Sequence, residues 1–424
     1  MKKCVIFVHP TLSVEYLANV AHEHGYQVLS LITAFESTQI NAGQLAEVSD
    51  FVIQGSANPE KDLPEIIEFI KANDLEVKAI INGIDPAIYY TDYLQNYILG
   101  YDIDLNASKA RLNKFEVNAI LQKNNIKIIP TIQICSKDEL TVQRESINKL
   151  QWPIVAKPSE DTAAMSGFAI LSNWQELEAY FDSYFGSKNK YYKDKTINKI
   201  ILQEYIDINV YEEFVIDFIS FEGKHYCKGI LLYDKSIEGE GYKIYRYYRP
   251  YTFNEVPNIK PIIDYVSQCL TALKIQYGFT HNEVFWDHKN SYYLIESNNR
   301  MPGHGVTEAY YHVYHYTAFS EYLALLEAKS IEHVPQQRYN FSIVLDLYNT
   351  SRKSSKLNTD GISSFQKIVN FRNHEKLPED FYKHYTRVEH VNASILLKNQ
   401  SLDRLNADID ELLERERNGT LFIN

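Results

Sequence analysis

Apolar residues in the first hundred positions come in short runs, separated by polar stretches of helical period. Runs at 4–8, 28–32, 51–54 and 79–81 predict strands, and 13–24 and 64–73 predict helices between them. Strand–helix alternation of this kind gives a parallel α/β sheet. From 106 the rhythm changes. A helix is expected over 108–125, where Leu112, Phe115, Ile120 and Leu121 share a face. Strands follow at 154–157 and 168–171, a helix at 175–185, and strands at 200–205, 214–221 and 224–232. Runs at 280–287 and 291–297 flank His288-Lys289-Asn290 and read as a hairpin. The last section predicts strands near 341–348 and 393–397 and a charged helix over 401–416, with the polar stretch 351–360 as a connector. The chain thus divides into an α/β domain over 1–105, a longer α+β domain over 106–330 and a small C-terminal α+β lobe over 331–424.

A length of 424 residues suits two or three domains, and the net charge of −12 argues against a nucleic-acid partner. The 33 Tyr read chiefly as genome or core composition. Cys4, Cys135, Cys227 and Cys269 are scattered, without a C-x-x-C pair, so neither a disulfide framework nor a zinc site is expected. Met1-Lys2-Lys3 looks like the charged end of a leader, but the apolar run behind it is too short for a signal or a membrane span. The expectation is a cytoplasmic protein. The first strand ends in His9-Pro10-Thr11, which gives no support to a G-x-G-x-x-G dinucleotide site.

The richest chemistry lies in His281-Asn282-Glu283-Val284-Phe285 and Leu294-Ile295-Glu296-Ser297-Asn298-Asn299-Arg300. A hairpin folded symmetrically between Lys289 and Asn290 sets Glu283 opposite Glu296, with Cβ atoms roughly 4.5–5.5 Å apart. Strand alternation adds Asn298 and Arg300 to the Glu296 face. Two bare carboxylates so close repel unless a cation lies between them. Mg²⁺ suits, because it takes one or two protein carboxylates and completes its shell with water and phosphates. An isolated pair of acids is more often a solvated face. The full pattern E-x₁₂-E-x-N-x-R, followed by Pro302-Gly303-His304-Gly305, favours a phosphoryl-transfer site.

These residues resemble the metal hairpin of ATP-grasp enzymes, most of all the L-amino-acid ligase and carnosine-synthase branch. The resemblance is clear over about 106–305 and architectural elsewhere. It implies an ATP-grasp fold, with an N-terminal preATP-grasp (Rossmann-like) domain, a two-lobed ATP-grasp domain holding ATP between its lobes, and a small C-terminal lobe. It implies that Glu283 and Glu296 hold two Mg²⁺ ions, with Asn298 on the second and Mn²⁺ able to substitute, and that Arg300 grips the transferring phosphoryl group or the substrate carboxylate. Lys157, in Pro153-Ile154-Val155-Ala156-Lys157-Pro158, resembles the family's α/β-phosphate lysine, and Lys114 its other nucleotide lysine, although Asn113 and Asn118 depart from the usual D-K-x-x-x-R. The loop over the phosphates corresponds to 159–167, where Ser166 and Gly167 are candidates and Gly167 is the only glycine. Gln203, Glu204 and Ile206 fall in the adenine-reading hinge, with Gln203 where the family has an acid. Glu213 matches the ribose-binding glutamate, with Glu212 as a rival.

The segment 241–251 is dense in Tyr and Arg, so it offers either a substrate-carboxylate pocket or an ordinary surface. Gly303 and Gly305 can bring backbone N–H groups against a tetrahedral intermediate, and His304 either donates to substrate or packs. The activity implied is an ATP-dependent carboxylate–amine ligase acting through an acyl phosphate, with small-molecule carboxylate and amine substrates, amino acids first among them, no nucleic acid, no membrane and a plausible homodimer. Two rivals stand beside it. One is another ATP-grasp chemistry, a biotin-carboxylase-like or nucleotide-biosynthesis ligase. The other is a non-catalytic ATP-binding module.

Overall fold

A computed structural model describes residues 1–10, 13–35, 42–160, 167–188, 195–235, 237–238, 243–329, 331, 335, 337–349, 356–371 and 391–423. The N-terminal strands are β1 (Lys2–Val8), β2 (Gln27–Ile32), β3 (Phe51–Gln54) and β4 (Leu75–Asn82). They form a parallel sheet in the order β3-β2-β1-β4. Of the helices between them, Val14–Glu23 lies where the apolar periodicity places it, and Pro59–Ala72 starts earlier than the expected 64, capped by Asn58.

Helix is not continuous over 108–125. One helix, Leu105–Ala110, ends before Arg111, and a second, Lys114–Lys123, begins after Asn113. The reason is local. The Asn113 side chain accepts the backbone N–H of Phe115 and Glu116, which caps a new helix. Lys114 therefore stands on a first turn rather than inside a helix.

Four antiparallel strands form a small lobe: β5 (Thr131–Ile134), β6 (Ile154–Pro158), β7 (Ala169–Leu171) and β8 (Ile200–Glu204), in the order β5-β8-β6-β7. Next come β9 (Glu212–Phe221) and β10 (Lys224–Asp234), a two-residue ribbon β11 (Ile237–Glu238) with β12 (Lys243–Ile244), and then β13 (Tyr247–Tyr251), β14 (Gly278–Trp286), β15 (Tyr292–Asn298) and β16 (Phe341–Leu347). After β17 (Lys356–Leu357), β18 (Phe365–Phe371) and β19 (Ala393–Asn399), a terminal β20 (Phe422–Ile423) pairs with β17. One eight-stranded sheet runs β15-β14-β9-β10-β13-β16-β19-β18, so it crosses position 330 without interruption.

This large sheet sorts its residues by alternation. Phe214, Ile216 and Phe218 of β9 pack in one core with the helix Lys260–Ala272. Val215 lies on the other face, in a core with Val306, Ala309 and Val313 of the helix Val306–Tyr314. Glu213 and Asp217 share the Val215 face, as period two requires, and both are buried. Among the described residues, no helix is long and apolar enough to cross a membrane.

The segment 241–251 resolves toward structure where it is described, with Gly241 and Tyr242 outside the described residues. Arg246 is buried and grips Glu416 of the helix Leu402–Arg417, Nη2 to Oε1 at 2.6 Å and Nη1 to Oε2 at 3.2 Å. Nη1 also donates to the Asp346 carbonyl at 3.0 Å. This arginine fastens the C-terminal helix to the sheet. Removing one member of such a pair strands the other charge, at about 3–5 kcal/mol. Arg246→Ala should lower unfolding stability by that order in a denaturant titration. A loss under about 1 kcal/mol would show that the pair is not a main tie of this helix.

Candidate active site

Glu283 and Glu296 face each other across β14 and β15. The route to that pairing is less symmetric than the sequence suggests. The inner rungs pair Trp286 with Tyr292 and Phe285 with Tyr293, which centres the turn on Lys289, with His288 at φ 58°. A one-residue irregularity at Ile295 then shifts the register and restores Glu283 opposite Glu296 and His281 opposite Asn298.

Three cations surround the two acids. Lys114 reaches Glu296, Nζ to Oε1 at 2.9 Å. Lys157, on β6 across from Ile201, comes from the small lobe, and Arg300 follows the hairpin. Burial pushes the Glu283 carboxyl well above its ordinary range, and the charges of Glu213 and Glu296 push it further. Burial also opposes charge on Glu296, yet Lys114 first, and then Lys157 and Arg300, hold it below its usual value. Burial works against charge on Lys114 too, but Glu296 lifts it above its ordinary value. Lys157 is lowered to about 8 by burial and by the neighbouring Lys114.

On the nucleotide side, Gly167 turns with φ 74° against Pro158, where a Cβ would lie 2.8 Å from that ring. Ser166 and the rest of 161–166 lie outside the described residues. Gln203 of β8 is buried and donates to Thr131 at 2.8 Å, so its side chain braces β5. Glu204 accepts the Gln151 N–H at 3.0 Å, and Ile206 follows just beyond the strand. Of the two rival acids, Glu212 is exposed and holds His288 at 2.6 Å. Glu213 is buried on the face of Glu283, paired with Lys235, and accepts from Tyr245 at 3.1 Å.

On the substrate side, Arg300 Nε donates to Asp85 at 3.0 Å. Asp85 follows β4 and was not foreseen. It occupies the carboxyl end of a parallel strand, a position that parallel sheets reserve for ligands. One of its carboxylate oxygens, Oδ1, is buried without a hydrogen bond. A cavity of about 70 Å³ lies there, lined among others by Asp85, Lys114, Asn118, Glu296 and Asn298. His304 has a left-handed backbone, φ 59°, and its Nε2 meets Asp346 at 2.8 Å, so Asp346 fixes its ring. Gly305, φ 73°, is explained by packing, since a Cβ would come 2.8 Å from Val369. Gly303 has open space around its Cβ position.

No family model matches the chain, and no curated protein matches it in sequence. Solved structures do. An L-amino acid ligase from Bacillus licheniformis superposes with a TM-score of 0.74 at 17% identity, over 98% of each chain. N5-carboxyaminoimidazole synthetase from Staphylococcus aureus, complexed with ADP, gives 0.68 at 13% identity, over 97% of this chain and 96% of its own. The biotin carboxylase domain of Hydrogenobacter thermophilus 2-oxoglutarate carboxylase, complexed with MgADP, ADP and bicarbonate, gives 0.67 at 12%, over 97% and 90%. The chain has the ATP-grasp fold. The charged hairpin lies on the large sheet.

An ATP-grasp hairpin implies a divalent cation, and the residues fit one. Among the described residues, no three His, Cys, Asp or Glu side chains gather as an all-protein metal cage. Two glutamates and an amide suit Mg²⁺, which keeps several positions for water and phosphate. The upward push on Glu283 comes first from burial and then from the neighbouring carboxylates Glu213 and Glu296, which lack enough compensating charge. A carboxyl raised in the folded chain binds more protons there than in the unfolded chain. Stability is then lost as pH rises above the ordinary carboxylate value. Glu283→Gln removes that repulsion. In the absence of ligands, its melting temperature should exceed that of the wild type by about 2 °C, the shift of ~1 kcal/mol in a large domain. The gap should widen from about pH 5 to about pH 8. A variant less stable than wild type across that range would contradict this electrostatic reading.

Proposed function

We propose that the protein is an ATP-dependent carboxylate–amine ligase that works through an acyl phosphate, with amino acids as substrates. The observation that carries this reading is the pairing of Glu283 with Glu296 inside a ring of Lys114, Lys157 and Arg300. Such a ring suits a polyphosphate with its metal ions better than any neutral ligand. The similarity to an L-amino acid ligase over nearly the full chain supports the choice of substrates.

In this reading Lys114 and Lys157 hold the α- and β-phosphates. Gly167 covers them. Gln203, Glu204 and Ile206 carry the strand that reads adenine, with Gln203 acting as a brace. Glu213 takes the ribose. Glu283, Glu296 and Asn298 would hold Mg²⁺, which supplies neutralisation of phosphate charge. A carboxylate oxygen of the first substrate attacks the γ-phosphorus, and ADP leaves with the cleaved bond's electrons. Arg300 binds the acyl phosphate that results, through N–H groups not used by Asp85. The amine of the second substrate then attacks the acyl carbon, loses a proton, and expels phosphate. Gly303, whose Cβ position is open, and His304, fixed by Asp346, would serve the tetrahedral state at that carbon.

In this reading the charge serves the γ-phosphate end, and the expected products follow from that. A screen of paired amino acids should yield ADP and phosphate in step with amide. Hydroxylamine in place of the amine should trap a hydroxamate of the first substrate, and Arg300→Ala should cut that trapping by about 10²-fold or more. AMP and pyrophosphate as coupled products would refute the mechanism.

A further inference from the structure

Glu296 and Lys114 carry different assignments, one to metal and one to phosphate, yet they hold each other, Nζ to Oε1 at 2.9 Å. Both side chains are only partly exposed, 17% for Lys114 and 32% for Glu296, so solvent screens the pair weakly. Lys157 differs. Among the described residues it forms no ion pair, so its ammonium is open to an arriving anion while Lys114 is committed to a carboxylate. The oxygen that Lys114 holds is one that a metal ion at Glu296 would need.

The backbone at Lys114 is tied down. Its N–H donates to the Ser159 carbonyl at 2.8 Å, Asn113 caps the helix, and Asn113 Nδ2 donates to Glu160 at 3.1 Å. The helix start is thereby fastened to the chain just past β6, which carries Lys157. What can turn is the side chain. A lysine presents a point charge with three rotatable donors on an unbranched stem, and it grips a carboxylate less rigidly than the fork of an arginine. Moving the ammonium from carboxylate to phosphate takes the rotation of one side chain and no movement of a lobe.

A divalent cation arriving alone must displace that ammonium and then sit among Lys114, Lys157 and Arg300, the three cations whose charges reach Glu296. Against them stand the two hairpin acids, and among the described residues no group of three His, Cys, Asp or Glu offers it a cage. A nucleotide reverses the balance. Its phosphates draw Lys114 off Glu296, offset the positive side chains and supply the oxygens that Mg²⁺ lacks. We propose that Lys114 is a counter-ion seal on the metal seat. It closes Glu296 to a free divalent cation and yields it when phosphates take the ammonium, so metal enters with the nucleotide or after it and never before. The inference rests on the nucleotide roles assigned above and makes Lys114 the residue that sets the order of binding.

Electron paramagnetic resonance of aqueous Mn²⁺ reads the free ion and needs no turnover. Full-length wild-type protein mixed with Mn²⁺ alone should leave the free-ion signal nearly intact, and adding ADP should remove it. Lys114→Met keeps the stem and deletes the charge. It should bind Mn²⁺ without nucleotide at least about tenfold more tightly than the wild type, and Glu296→Gln in that background should abolish the gain. Lys114→Arg, whose fork can hold both carboxylate oxygens, should exclude Mn²⁺ alone as the wild type does. Wild-type protein that binds Mn²⁺ as tightly without ADP as with it would overturn the inference, whether or not Lys114→Met folds. A folded Lys114→Met that gains nothing would do the same. In either case ADP binding by the wild type leaves the ligase reading standing. A wild-type protein that binds no ADP, with or without Mn²⁺, brings down both.

Discussion

Two glutamates held on facing rungs of a buried hairpin repel each other, and the arrangement around the cleft answers that repulsion. Glu283 is driven toward its neutral form by burial, by Glu213 and by Glu296. Glu296 stays charged because Lys114 lies 2.9 Å away. Lys114 is there because Asn113 starts a fresh helix at that point, and its backbone N–H is tied to Ser159 of the small lobe at 2.8 Å. Lys157 arrives from the same lobe with its ammonium already weakened by burial and then by Lys114. The charges are poised for a ligand that brings both cations and anions. Mg²⁺ with a nucleotide is such a ligand.

The N-terminal domain is part of this electrostatic frame. Asp85 comes from the end of β4 and binds Arg300 at 3.0 Å. Asn82 donates to the Asn299 carbonyl at 2.9 Å, which fixes the segment after the hairpin to the same strand. The guanidinium assigned to the acyl phosphate is therefore aimed from the N-terminal sheet as well as from the hairpin. The C-terminal strands contribute likewise, since β16 supplies Asp346 to His304.

Much of the fold was legible because period two and helical period are strong signals in this chain. The strands that carry Lys157, Glu213, Glu283 and Glu296 are uninterrupted apolar or alternating runs. The cross-strand pairing of the glutamates was legible for a partly accidental reason. The turn is displaced from the assumed midpoint, and the irregularity at Ile295 cancels the displacement. No pattern in the sequence announces a bulge of that kind. The helix Val306–Tyr314 was illegible for another reason. Its run Tyr310-Tyr311-His312-Val313-Tyr314 has strand-like composition, and packing against Val215, Leu231 and Val344 overrides that preference. Whether the arginines of 241–251 served a substrate or an ordinary surface was not legible, because the partner of Arg246, Glu416, lies far along the sequence. Asp85 escaped notice for the same reason, because its meaning depends on Arg300, a partner that only the fold brings near.

The central claim is that Glu283 and Glu296 are kept close for the sake of metal-bound nucleotide. Calorimetric titration with ADP, run with excess Mg²⁺ and again with EDTA, tests it most directly. The account predicts that Mg²⁺ tightens ADP binding to the wild-type protein by about tenfold or more, and that this gain vanishes in Glu296→Gln while binding with EDTA persists. Equal ADP affinity with Mg²⁺ and with EDTA in the wild type would contradict it.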